Sequence, residues 1–437
     1  MHNANHVDVF QGVKGKKLLV LGCTRADCQI IDAAREMGVY TIATDNHTDW
    51  LDAPAKYEAD EAWDISWSDI DTLKGMCEEV GVDGVMAGFS EFRVACAIRL
   101  SEELGMPFYA GGAEVLEQTF DKKAFKDACR RCGVPVTRDF DYPSCGIDAV
   151  EFPVLVKPAD NGGSRGIRAC FSPKELPEAI EYALGFSAGD KIIVEELVQG
   201  AREVIVYYTI ADGDVALSAM CDKYERDSGT GFGSLPDAYL YPSRYLSSYM
   251  KLHDEAVVRA IREMGIANGS VNLQGFARPD GTFVFFEMDH RPGGTCTFNF
   301  TEYFNGISYM KMLISYSLTG DMHPELLAWE DATFGGGCGL ILTLLCKDGK
   351  IASQYGDEVA RVLPGVLRTC FYHHEGSVIE VNGSQFPKAY RAFIAGEGLE
   401  EAIATAKKVQ DAIHIEDVSG DSLLFERFDL SLLGGGR

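Results

Sequence analysis

The stretch Phe283-Val284-Phe285-Phe286-Glu287-Met288-Asp289-His290-Arg291-Pro292-Gly293-Gly294 decides the reading of this 437-residue chain. Residues 283–289, closed by Pro and Gly, read as a strand. On a strand, side chains two positions apart share a face, so Glu287, Asp289 and Arg291 project together. Two carboxylates side by side repel unless a cation lies between them. A site built of oxygen donors suits Mg2+ better than zinc, and an arginine in the same row suits a phosphate held by that metal. For an isolated Glu-x-Asp pair the plain alternative is a solvated sheet edge. Acids inside an apolar run are costly unless paired or metal-bound, which favours a site here.

Working outward, Val271-Asn272-Leu273-Gln274-Gly275-Phe276 also reads as a strand, with Asn272 and Gln274 on one face. Arg278-Pro279-Asp280-Gly281 supplies the connecting turn. The expected hairpin sets side-chain amides opposite carboxylates. Further upstream, the apolar strand Phe152-Pro153-Val154-Leu155-Val156 ends in Lys157 and runs into Asn161-Gly162-Gly163-Ser164-Arg165-Gly166, after which a second strand begins. Glycines let backbone N–H groups wrap phosphate oxygens, and Lys157 adds a point charge. The lysine precedes the glycines and a strand follows them, so this is not a Walker loop. A third segment, Ile192-Ile193-Val194-Glu195-Glu196-Leu197-Val198, leads through Gly200 into a strand that carries Glu203. Its backbone suits an adenine edge and its carboxylates suit ribose hydroxyls. Taken singly, each of these segments also reads as an ordinary hairpin.

In this order the three segments resemble the ATP-grasp superfamily over most of the chain. The Asn-x-Gln … Glu-x-Asp-x-Arg element is most similar to the carbamoyl-phosphate synthetase and biotin carboxylase branch. That family usually has Asn where Asp289 stands, and Asp ligates Mg2+ at least as well. The resemblance implies ATP as the nucleotide and Mg2+, or Mn2+, as the metal. It implies Gln274, Glu287 and Asp289 as metal ligands, and Lys157 on the α/β phosphates beside Gly162, Gly163 and Ser164. Glu196, Leu197 and Val198 would form the adenine hinge, and Glu203 would hold the ribose. Lys122 or Lys123 matches a second family lysine, and Arg291 would face the γ-phosphate. Lys157 and Arg291 are thus the expected catalytic groups. Lys223 and Arg226, in the Gly-rich run Asp222–Gly233, read equally as phosphate contacts and as solvated lid residues.

The implied fold is α/β with a grasp. A doubly wound pre-ATP-grasp domain is expected over 1–117. A two-lobed ATP-grasp domain is expected over 118–330, with lobes about 118–188 and 189–330. A small strand-rich C-terminal domain follows over 331–430, then a tail over 431–437. The first block alternates strands (17–22, 40–45 and 82–88) with helices, as a doubly wound sheet does. Gly22 and Asp45 hint at a nicotinamide site, but the remaining glycines of that fingerprint are missing. Ser90 and Glu91, at a strand's carboxyl end, read as a substrate contact or as loop capping.

A formal net charge of −26 argues against nucleic acid and anionic membrane as main partners. The 13 cysteines show no disulfide-scaffold spacing and fit a reducing, cytoplasmic setting. Cys129-Arg130-Arg131-Cys132 lies in a helical stretch and reads as structural. The polar start of the sequence lacks a signal-peptide core, and no run reaches membrane-spanning length. The expected activity is that of a carboxylate–amine (or thiol) ligase acting through an acyl phosphate on small-molecule substrates, with a homodimer as a further expectation. Two other readings stand beside it. One is a bicarbonate-activating carboxylase or carbamoyl-phosphate-type enzyme; the other is a non-catalytic nucleotide-binding module.

Overall fold

A computed structural model of the chain describes residues 9–159, 166–187, 189, 191–226, 235–380 and 388–435. Glu61–Trp63, Tyr40–Thr44, Lys17–Leu21 and Gly84–Met86 lie in that order in one sheet, and all are parallel. Their near-continuous apolar character follows from burial on both faces. Helices Cys28–Glu36, Ala55–Glu58 and Ile70–Val80 link them, and helix Glu91–Leu104 follows the last strand. Gly22 (φ +110°) leaves no room for a Cβ, because the Arg93 guanidinium fills that place and pairs with buried Asp27 at 2.6 Å. The glycine therefore serves a buried ion pair. Asp45 accepts from the His47 backbone N–H at 2.9 Å.

A second sheet, in the order Asp139–Phe140, Ile192–Glu196, Val154–Pro158 and Arg168–Cys170, is antiparallel throughout. Helix Leu176–Leu184 packs against it around Val154, Val156 and Val194. Strand Ile192–Glu196 belongs to this sheet, so the lobe boundary expected at 188/189 falls inside it. The period-2 pairing with Val154–Pro158 outweighs sequence distance.

The largest sheet has eight strands. The first five are Phe283–Asp289, Gly269–Ala277, Arg202–Ala211, Asp214–Arg226 and Leu235–Tyr241. The sheet then continues without a break into Cys338–Leu345, Lys388–Gly396 and Val366–Phe371. The strand-rich block after 331 thus extends the sheet of the block before it. Helix Leu399–Ala412 covers one face of that extension, through Ala402, Ala406 and Val409. On the other face Phe300, Tyr241, Ile341 and Phe393 join the core cluster that encloses the parallel sheet. Helix Tyr309–Thr319, which follows the Arg291 loop in sequence, packs into that same cluster through Met310, Leu313 and Ile314. The N-terminal sheet and the end of the largest sheet are therefore held together by one continuous core. Among the described residues no helix is long and apolar enough to cross a membrane.

Candidate active site

The hairpin forms as its alternation predicts. Gly269–Ala277 and Phe283–Asp289 pair antiparallel, with Asn272 opposite Asp289 and Gln274 opposite Glu287. Gln274 presents its Nε2 to both acids, 3.4 Å from Glu287 and 3.2 Å from Asp289. Its amide oxygen would have to turn inward to serve a cation. Lys122, first residue of helix Lys122–Cys132, reaches Glu287 at 3.0 Å. Asp121 caps that helix by accepting from the Lys123 and Ala124 N–H groups, which fixes where Lys122 emerges.

Arg291 lies 3.4 Å from Asp289 and donates through Nε to Glu91 at 2.7 Å. A second donation to Glu91 comes from Nη2. Glu91 opens helix Glu91–Leu104, and the Phe89 N–H donates to Pro292 O at 3.1 Å. The N-terminal block therefore closes directly on the Arg291 loop. Ser90 makes no side-chain cap to its helix.

Burial pushes the Asp289 carboxyl well above the usual range; Arg291 opposes this, and Glu287 and Glu91 add to it. Burial would also raise Glu91, but Arg291 more than offsets it and holds Glu91 low. Burial works against the Lys122 ammonium, yet Glu287 raises it above its ordinary value. Three carboxylates thus share two cations, a balance that a divalent cation would ease. Among the described residues no group of three or more His, Cys, Asp or Glu side chains forms a ready metal cage. Mg2+ is commonly held by one or two carboxylates together with substrate phosphates and water. The Glu287–Asp289 donor set fits a metal of that kind.

Lys157, next to last in strand Val154–Pro158, pairs with Glu195 at 2.5 Å. Its Nζ also lies 5.7 Å from the Phe286 ring centre, which ties the second sheet to the hairpin. Burial lowers the Lys157 pKa. Glu195 also pairs with Lys126 at 2.5 Å and accepts from Thr137 at 2.8 Å. Burial opposes its ionisation, but Lys157 and Lys126 bring it down to about 2. The sequence reading passed over Glu195 for its neighbour Glu196. Adjacent strand residues face opposite ways, and that signal shows that only one of the two acids can face Lys157.

Glu196 instead meets Arg278 at 3.0 Å and accepts from the Arg138 N–H at 3.1 Å. The Leu197 N–H donates to Pro153 O at 3.1 Å. Leu197 and Val198, half-buried, lead into the Gly200 turn, where φ is +68°. Glu203 and Lys223 face each other across neighbouring strands at 3.0 Å, and Glu225 joins them at 2.5 Å. Burial pushes Glu203 up to about 7, against the pull of Lys223.

Lys223 and Arg226, expected as phosphate contacts or solvated lid residues, are strand residues instead. Both belong to strand Asp214–Arg226, because alternation continues through the charged run. Lys223 is enclosed by acids, and Arg226 turns to Asp237 and the Glu426 carbonyl, at 2.9 and 2.5 Å. Gly162, Gly163 and Ser164 lie outside the described residues. Cys129 packs in a helix core, and the Cys132 thiol donates to Glu263 at 3.0 Å.

Residues 142–316 match the family model described as D-ala D-ala ligase C-terminus. The chain is 26% identical to a 2-oxoglutarate carboxylase small subunit from Hydrogenobacter thermophilus, over 63% of this chain and 61% of that one. It therefore spans less than two thirds of that relative's length. The biotin carboxylase domain of the same enzyme, solved as a dimer with MgADP, ADP and bicarbonate, superposes with a TM-score of 0.76 at 20% identity, covering 92% of this chain and 90% of that one. An L-amino acid ligase from Bacillus licheniformis superposes with a TM-score of 0.74 at 18% identity, covering 92% and 99%.

Proposed function

We propose that this chain is an ATP-grasp protein that works as an ATP-dependent carboxylate–amine ligase releasing ADP and phosphate. The observation that carries this reading is the cluster Lys122, Glu287, Asp289, Arg291 and Glu91, which gathers the end of strand Phe283–Asp289 and the starts of helices Lys122–Cys132 and Glu91–Leu104 around one polar floor. In this reading a substrate carboxylate attacks the γ-phosphate of ATP, and an amine then displaces phosphate from the acyl phosphate.

Glu287 and Asp289 would hold Mg2+, with Gln274 as a third donor after its amide turns. Bound there, the metal would supply charge neutralisation to the nucleotide's phosphates. Lys157 would bind the α/β phosphates, Glu196–Val198 the base and Glu203 the ribose. Arg291 is anchored on Glu91 and Asp289, and one face of its guanidinium fork would be offered to the transferring group. The protein's share of the chemistry is then positioning and fixed charge. The relative solved with MgADP and bicarbonate supports ATP and Mg2+ as ligands and keeps bicarbonate activation as the second reading. That relative's dimeric state supports a homodimer here.

The test is phosphate release from MgATP across a panel of carboxylic acids and amines, with bicarbonate as a separate arm. Release that needs both an acid and an amine is expected. Release with bicarbonate alone would replace this reading with the carboxylase one.

A further inference from the structure

Strand Lys388–Gly396 carries two cations on the face that looks toward the Arg291 loop. Thr343 pairs with Arg391 and Leu344 with Tyr390, but Leu345 pairs with Lys388, so Ala389 is an extra residue. An extra residue of this kind shifts the alternation by one. Lys388 and Arg391, three apart, are thereby brought to one face. Ala389 and Tyr390 turn to the opposite side, into other clusters.

Arg391 is 1% exposed. It donates to Gly294 O at 2.6 Å and to Thr343 Oγ1 at 3.4 Å, and it lies 5.8 Å from the Tyr372 ring centre. Neither Arg391 nor Lys388 forms an ion pair with a carboxylate among the described residues. A buried cation without a counter-charge is expensive, and a guanidinium has five N–H donors to satisfy. The neighbouring Arg391 charge, and then burial, also depress the Lys388 pKa, to about 7.

The loop that Arg391 meets is open at Gly294, where, apart from the two chain neighbours, no described atom lies within 4 Å of where a Cβ would stand. The loop is also braced on the sheet face. Tyr207 donates to Thr295 at 2.9 Å, and the Tyr241 and Thr297 hydroxyls lie 3.0 Å apart. The segment that starts at Arg291 therefore runs directly over Arg391.

We propose that Lys388 and Arg391 form a seat for an acidic group of the organic substrate, so that the substrate is a compact dicarboxylate or an amino acid recognised by its carboxylate. This rests on the ligase reading for its use, but binding to the seat is measurable without turnover. Inorganic phosphate shares the chemistry and is the control for a seat that serves the nucleotide instead.

The test uses the full chain, Arg391→Met, Lys388→Met and the surface control Lys408→Met. Calorimetry is run with a panel of dicarboxylates and α-amino acids, with propionate, with inorganic phosphate and with MgATP. At least one panel member should bind the unaltered protein and the control at least tenfold more tightly than either seat variant, with MgATP affinity within twofold throughout. Arg391→Met should also melt no lower than the parent, since it removes an unpaired buried charge. Equal panel affinities across all four proteins would overturn the seat. So would phosphate binding that competes with ATP in the absence of any panel ligand, and so would loss of MgATP binding in the seat variants. If panel ligands bind as expected but no combination releases phosphate, the ligase reading fails while the seat stands.

Discussion

Arg291 is the residue on which the proposed chemistry turns, and its surroundings sharpen the expectation for it. Its Nε and Nη2 both face Glu91, and Nη2 also lies 3.4 Å from Asp289. A lysine cannot reproduce that fork. Arg291→Lys is expected to bind MgATP nearly as the parent does but to turn over about 10²-fold more slowly, the scale of one lost charged donor at a transferring group. If Arg291 only braces Glu91 and Asp289, melting temperature falls and kcat per folded molecule is unchanged. Measuring both on one preparation decides. Lys157→Ala should weaken ATP binding far more than Lys174→Ala, whose side chain is exposed. Glu195 keeps Lys126 and Thr137 in that variant, so its charge is not left stranded, and equal affinities by calorimetry would remove Lys157 from the site.

Lys388 gives a pH dependence with a definite sign. Arg391 and burial hold its pKa to about 7, with Lys223, Cys296 and Cys370 also facing it. A bound oxyanion favours the protonated form. Above pH 7, binding should therefore take up a proton, and affinity for the panel ligand should fall as pH rises toward 9. Calorimetry in buffers of different ionisation enthalpy reads the proton directly. Release of a proton, or none, would contradict the assignment.

At the scale of elements, what could be read from the sequence was what local periodicity controls. The Glu287–Asp289 face, the turn at Arg278–Gly281 and the Lys122 helix start all follow from neighbours within a few positions, and all three form. Long-range pairings lay beyond that reach. Glu91 and Arg291 are 200 positions apart, and nothing in either local pattern names the other. The glycines that follow Lys223 and Arg226 suggest a lid, yet cross-strand pairing with Tyr239 and Leu235 keeps both residues in the sheet. The Ala389 register shift, which turns Lys388 and Arg391 to one face, depends on the partner strand and leaves no mark in a single segment.

One close approach between elements is directly testable. A Cβ on Gly84 would stand 2.3 Å from Ser317 O, in helix Tyr309–Thr319. Gly84→Ala should force the strand and helix apart and destabilise by about 1–3 kcal/mol, as overpacking does. An unchanged melting temperature would mean that this contact is slack.

Across the whole molecule, one core joins the N-terminal sheet to the far strands of the largest sheet, and the three-sided meeting of Lys122, Glu91 and the Glu287–Arg291 row follows from it. The second sheet brings Lys157 to this meeting through Phe286. Its own core is separate, which fits a lobe able to adjust over a nucleotide. A nucleotide that binds only the folded chain stabilises it by mass action, so MgATP should raise the melting temperature of the parent.

Glu287 and Asp289 are the centre of the proposed chemistry, and the measurement that tests their role most directly is Mg2+-dependent ADP formation by the parent and by the double variant Glu287→Gln with Asp289→Asn. Both replacements keep size and hydrogen bonding while removing the two charges. The account predicts a folded double variant that has lost most Mg2+-dependent turnover, whereas turnover equal to the parent's would contradict it.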